Sequence, residues 1–218
     1  MGGFKNEKNN VLFENGSIKL IIAHLVCCSR KMKEACVNAG EMLDNHEDKI
    51  TNRLVENHLN INSLFFHFEP QTQEKFNTKT GLFEGRCDIK VFSMDIFREP
   101  KAYFLIESKR IDGSTHLNNE YVKNGVSRFV INSPKYSSYY KQSIMFAYVV
   151  QAIDISENAE KIEAIQKAFL IGVDIGDFSV LQTNSDFAEY SCDYSSSAIE
   201  KIELRHLFFD FSDVVNKS

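Results

Sequence analysis

Tryptophan is absent and proline occurs three times in 218 residues. The five cysteines are odd in number and contain no C-x-x-C pair, so they do not read as a disulfide framework; they read as reduced thiols of a cytosolic protein. The six histidines show no H-x-x-x-H spacing and no pairing with cysteine, which argues against a zinc site. No apolar run approaches the roughly 20 residues that a membrane span needs. The opening MGGFKNEKNN is polar and does not read as a signal peptide. There is no Gly-rich phosphate loop, since Gly172 and Gly176 lack a following lysine. Excess positive charge is also missing. A formal charge of −5 argues against a chain that coats nucleic acid indiscriminately, while leaving room for a local basic groove.

What is present is an ordinary globular composition, 43% hydrophobic and 25% charged, with 18 phenylalanines to build a core. The length suits one domain spanning 1–218. Charge is uneven along it. Residues 101–141 carry seven Lys/Arg against three acids, and residues 142–218 carry five against thirteen. A solvated face explains such a bias as readily as a nucleic-acid surface does.

The most informative stretch is Gly85–Arg110, GRCDIKVFSMDIFREPKAYFLIESKR. It reads as two strands, Arg86–Phe92 and Ala102–Lys109, broken by Arg98-Glu99-Pro100. In the second strand Tyr103, Leu105, Glu107 and Lys109 share one face, and Ala102, Phe104, Ile106 and Ser108 the other. Apolar residues on both faces mark a buried central strand. An acid and an amine at its end are costly there unless paired or used. A hairpin centred near residue 98 sets position 88 opposite position 108, within about one residue, at cross-strand contact distance of about 5 Å between Cβ atoms. Asp88, Glu107 and Lys109 then converge. Two carboxylates in contact repel, and a hard divalent cation, Mg²⁺ or Mn²⁺, removes the repulsion. The lysine is left to orient a water or to neutralise charge on a phosphate.

Upstream, residues 17–38 have helical periodicity, and a second helix is expected over Gly40–His58 with Leu43, Ile50 and Leu54 as its apolar stripe. Glu47 falls within that stripe, as a third carboxylate of the site or as one arm of a buried salt bridge. Asp44 and Asp48 beside it read as solvated. Residues 64–69 read as a first strand and 70–85 as a long or irregular hairpin, so the three strands form an antiparallel meander. Downstream, helices are expected over Asn118–Ile131 and Ser137–Ile153, where Lys123 and Arg128 could face a phosphate backbone, and over 156–168. Strands are expected at 169–173, 178–182 and 202–211, with Asp186–Ser197 as a loop. His206 reads as a structural histidine.

Asp88 on one strand of a hairpin, Glu107-x-Lys109 on the next and Glu47 on a preceding helix resemble the PD-(D/E)xK nuclease superfamily, with Cys87 standing where that motif has proline. The resemblance covers residues 38–155. It implies an α/β protein with a restriction-endonuclease-like core: a mixed sheet with an antiparallel active-site hairpin, flanked by helices. It also implies a Mg²⁺- or Mn²⁺-dependent endonuclease acting on DNA, with Asp88, Glu107 and Glu47 as metal ligands and Lys109 as the catalytic lysine. A Gln or Lys further on often assists in that family; Lys123, Lys141 and Gln142 are the positions available. The implied partner is nucleic acid rather than membrane, with the chain a homodimer or a subunit of a bacterial restriction or defence system. RNA is an alternative substrate. A catalytically inactive nuclease-fold binding or interaction subunit is the alternative function.

Overall fold

Parallel neighbours cannot be joined by a tight turn, and the way this chain meets that constraint organises the molecule. In a computed structural model, described over residues 7–61, 65–93, 99, 101–131, 134–136, 138–197 and 199–217, the central strands β3 (Tyr103–Ile111), β4 (Gln142–Val149) and β8 (Ile202–Asp210) run parallel. Helix α3 (Thr115–Tyr121), a π-helical turn (Val122–Val126) and α4 (Ser127–Val130) make the crossover from β3 to β4. Antiparallel strands extend the sheet on both sides. The order is β1 (Phe66–Asn77), β2 (Leu82–Ser93), β3, β4, β8, β7 (Phe187–Ser195), β5 (Asp174–Ile175), with β6 (Ser179–Thr183) also on β7. The protein is thus α/β, a mixed eight-stranded sheet flanked by helices.

Each face of the sheet carries its own core. On one side α1 (Glu7–Ala39) lays down Ile18, Ile21, Ile22, Leu25, Met32 and Cys36, a stripe with the 3.6-residue period of an amphipathic helix. It is joined by Ile50, Leu54 and Val55 of α2 (Glu47–Asn57). On the other side α3, the π turn and α5 (Ile155–Phe169) cover Leu105, Met145, Ala147 and Phe208. Asp154 caps α5 by accepting from Glu157 N at 3.0 Å.

The expected meander is present, with Ile89 opposite Ile106, one residue from the anticipated register. Residues 98 and 100 of the expected turn lie outside the described residues. Several expectations are corrected. Residues 137–153 hold a strand, not a helix: QSIMFAYV is apolar on both faces because β4 is buried between β3 and β8, and such a run has no period that separates strand from helix. Residues 186–197 are largely strand β7, whose Ser, Asp and Tyr content resembles a loop; Phe187, Ala188, Tyr190, Cys192 and Tyr194 are buried against the sheet. Residues 169–173 are not a strand, since α5 runs through Phe169. The second helix starts at Glu47, not Gly40. Residues 40–46 are held instead by the chain's last segment, through Leu43 N to Val214 O at 2.7 Å and Asn216 N to Leu43 O at 2.9 Å.

Candidate active site

The site is built where β2 loses its regular pleat. Gln71 on β1 has φ of 58°, and neither it nor Asp88, which lies across from it, is paired in the β1–β2 ladder; the ladder skips a second time at Lys75, φ 51°, and Glu84. The alternation of faces breaks there. Ile89 packs with the α1–α2 core, whereas Cys87 packs with the α3–α5 core, although strict alternation would give both the same side. Asp88 sits at this switch and reaches β3, where its Oδ2 accepts from Ser108 N at 2.7 Å.

Lys109 is the hub. Its Nζ donates to Glu47 Oε1 at 2.8 Å, Glu107 Oε1 at 2.9 Å and Ser108 O at 2.6 Å, and lies 3.8 Å from Asp88 Oδ2. All four sequence-predicted residues, Glu47, Asp88, Glu107 and Lys109, therefore meet in one place. Glu47 arrives there at the first turn of α2, where a carboxylate is favoured by the helix dipole. That helix start is steadied by Arg110, which donates to Asn45 O at 2.7 Å and Asn45 Oδ1 at 2.9 Å. Beneath the site Tyr148 donates to Ser108 Oγ at 3.0 Å and contacts Thr51 Oγ1 at 2.9 Å, which ties β4, β3 and α2 together.

Glu107 is fully buried. Burial first, then the neighbouring Asp88 carboxylate, push its pKa up to about 7, against the pull of Lys109 and Arg128. Burial also raises Asp88, opposed by Lys109 and the Ser108 amide. For Lys109 burial acts downward, but Glu107, Asp88 and Glu47 outweigh it and the ammonium is held charged. The Tyr136 hydroxyl contacts both Glu107 Oε2 and Arg86 O, and accepts from Arg128 Nη1 at 2.6 Å. One hydroxyl proton cannot serve two acceptors. Glu107 Oε2 and Arg86 O therefore compete for the Tyr136 proton.

Two participants were not singled out in the sequence. Asp48, expected to be solvated, is half-buried, and its carboxylate clusters with those of Glu47 and Asp88, one oxygen from each within 4.8 Å of the others. The signal was its place next to Glu47 at a helix start. Tyr136 could not be recognised, because it comes from a loop after α4 whose path the sequence does not specify. Arg128 does reach the site, with Nη1 3.1 Å from Glu107 Oε1. The other proposed assistants lie elsewhere: Lys123 sits over the Phe169 ring, Lys141 pairs with Glu200 and Gln142 with Glu203. His206 is buried between Tyr121 and Tyr194, and burial lowers it to about 3, as befits a neutral structural residue.

The carboxylates open on a cleft of about 380 Å³, whose rim carries Arg86, Arg128 and Lys135. An all-oxygen donor set of several acids suits a hard divalent cation, and the excess of carboxylates over ammonium at its floor is the charge such a cation would balance. No family model, no curated protein and no solved structure matches the chain. Among the described residues no helix is long and apolar enough to cross a membrane.

Proposed function

We propose that the protein is a metal-dependent endonuclease with a restriction-endonuclease-like core, hydrolysing phosphodiester bonds in DNA. The observation that carries this reading is the convergence of Glu47, Asp88 and Glu107 on Lys109 at the floor of an open cleft with a basic rim. Asp88, Glu47 and Glu107 would hold Mg²⁺ or Mn²⁺, with Asp48 as an added ligand. Bound there, the ion supplies Lewis acidity toward a phosphoryl oxygen and an acidified water. Lys109 positions that water and offsets the charge that builds on the phosphate, and Arg128 and Arg86 bind the flanking backbone. Attack in line displaces the 3′ oxygen and leaves a 5′-phosphate. The chain's place would then be in nucleic-acid processing or defence, alone as a dimer or beside a partner subunit.

The test is digestion of circular single-stranded DNA and of supercoiled plasmid in Mg²⁺ or Mn²⁺ by the wild type, Glu107→Ala and Lys109→Ala, with matched RNA alongside. Cleavage by the wild type alone supports the reading and both residues. Equal cleavage by all three, or by none, overturns it.

A second reading has its own support. Lys109 already spends its three donors on Glu47, Glu107 and Ser108, a closed network that a non-catalytic binding or interaction subunit would also show. Melting separates the two. A metal site predicts that Mn²⁺ or Ca²⁺ raises Tm, and that Asp88→Asn abolishes the rise; an inert network predicts no dependence on metal.

A further inference from the structure

Beyond the point where β3 leaves it at Ile89, the β1–β2 hairpin continues as a two-stranded arm, from Thr72 to Asn77 and from Leu82 to Cys87. Its tip is ordered by its own chemistry. Asn77 Oδ1 accepts from Lys79 N and Thr80 N, at 3.0 and 3.3 Å, and Gly81 takes the left-handed conformation that closes the turn. Its base is braced on the segment carrying Tyr136, through Lys75 Nζ to Pro134 O and a close approach at Gly85.

This arm exposes what a folded chain ordinarily hides. Phe76, Leu82 and Phe83 are 55%, 68% and 47% exposed. Phe76 and Phe83 are cross-strand partners with ring centroids 5.1 Å apart. Phe83 also lines the cleft that holds Glu47, Asp88, Glu107 and Lys109. The surroundings are cationic: Lys79, Arg86 and Lys135 are exposed, whereas Glu74 is buried on Lys90, which leaves Glu84 as the exposed acid of the arm.

Resting on the nuclease reading and narrowing it, we propose that Phe76 and Phe83 are a stacking platform for unpaired bases, so that the cleft takes single-stranded nucleic acid. Ring faces bordered by cations, continuous with a phosphodiesterase cleft, match a ligand that alternates planar apolar bases with anionic phosphates. A duplex cannot use them, because its base faces are already stacked on one another. Arg86 and Lys135 lie along the rim where the backbone would pass from the platform to the carboxylates.

The test uses the full-length protein and a fluorescein-labelled strand of about a dozen nucleotides of mixed sequence, alone or annealed to its complement, read by anisotropy in chelator and again in Ca²⁺. The single strand is expected to bind more tightly than the duplex. Phe76→Ala combined with Phe83→Ala should keep the wild-type circular dichroism and weaken single-strand binding about tenfold or more, with duplex binding unchanged. Phe83→Trp adds the chain's single tryptophan, and its fluorescence should be quenched by the strand and not by the duplex. The proposal is overturned by a preference for duplex, by no nucleic-acid binding at all, or by wild-type affinity in the double variant. Loss of a dimer in that variant with affinity intact would make the patch a self-association surface and overturn it too. The nuclease reading fails separately: if the wild type cleaves nothing while the double variant still loses single-strand binding, stacking stands and hydrolysis does not.

Discussion

Lys109 neutralises a group of carboxylates that the fold has already forced together, and this governs what substitutions there do. Removing the ammonium leaves Glu47, Asp88 and Glu107 facing one another in a poorly hydrated place. Lys109→Met is therefore expected to lower unfolding free energy by about 3–5 kcal/mol at pH 7 in urea titrations, with part of the loss returned by Mn²⁺. Glu107 sets the pH dependence. Its pKa of about 7 in the folded chain is above its ordinary value, so the folded state holds the extra proton. The resulting stability is complete below the unfolded pKa and is lost as pH rises through about 7. Asp88 is shifted in the same sense. Urea titrations from acid to neutral pH should show this decline in the wild type and a shallower one in Glu107→Gln. Mn²⁺ needs the ionised carboxylate, so its affinity should rise with pH and level off above about 7, with proton release measurable by calorimetry in two buffers.

At the scale of elements, two glycines allow close approaches that shape the site, and they differ in what a methyl group would meet. A Cβ at Gly85 would lie 2.9 Å from the Lys135 carbonyl oxygen and 3.0 Å from the Tyr136 ring. The first contact is backbone and cannot turn aside. Gly85→Ala should push Tyr136 away from Glu107, costing about 1–3 kcal/mol in stability and lowering cleavage. A Cβ at Gly125, in the π turn, would lie 2.5 Å from Met145 Cε, the mobile end of a flexible side chain, and 3.4 Å from Lys109 Cγ. Gly125→Ala should be tolerated with a smaller loss. Comparing the two variants by thermal melting checks that the difference lies in the neighbour rather than in glycine itself.

At the scale of the whole molecule, the sheet separates two cores and buries most of the reactive sulfur. Cys28, Cys36, Cys87 and Cys192 are buried and Cys27 is exposed. Burial holds the Cys87 thiol up at about 12 and Cys192 at about 11, both unreactive at neutral pH. A thiol reagent should therefore titrate one cysteine in the native protein and five after denaturation.

The sequence by itself determined those features that depend on neighbours along the chain. The meander, the α1 stripe, the α5 helix and the last strand were legible because period and turn chemistry are local signals. The convergence of Asp88, Glu107 and Lys109 was legible for the same reason, since hairpin register follows from the turn and the alternation of side chains. Tertiary structure alone decided the rest. Whether QSIMFAYV is helix or strand depends on β3 and β8 lying on either side of it, and whether FAEYSCDYS is loop or strand depends on β8 accepting its backbone. Asp48 joined the acids because the chain's last segment and Arg110 hold residues 40–46 out of helix and make α2 begin at Glu47. Tyr136 reached Glu107 because the β1–β2 arm supports its loop from below. In each case the deciding partner is distant in sequence, and burial and backbone pairing between distant segments leave no periodic trace in either one.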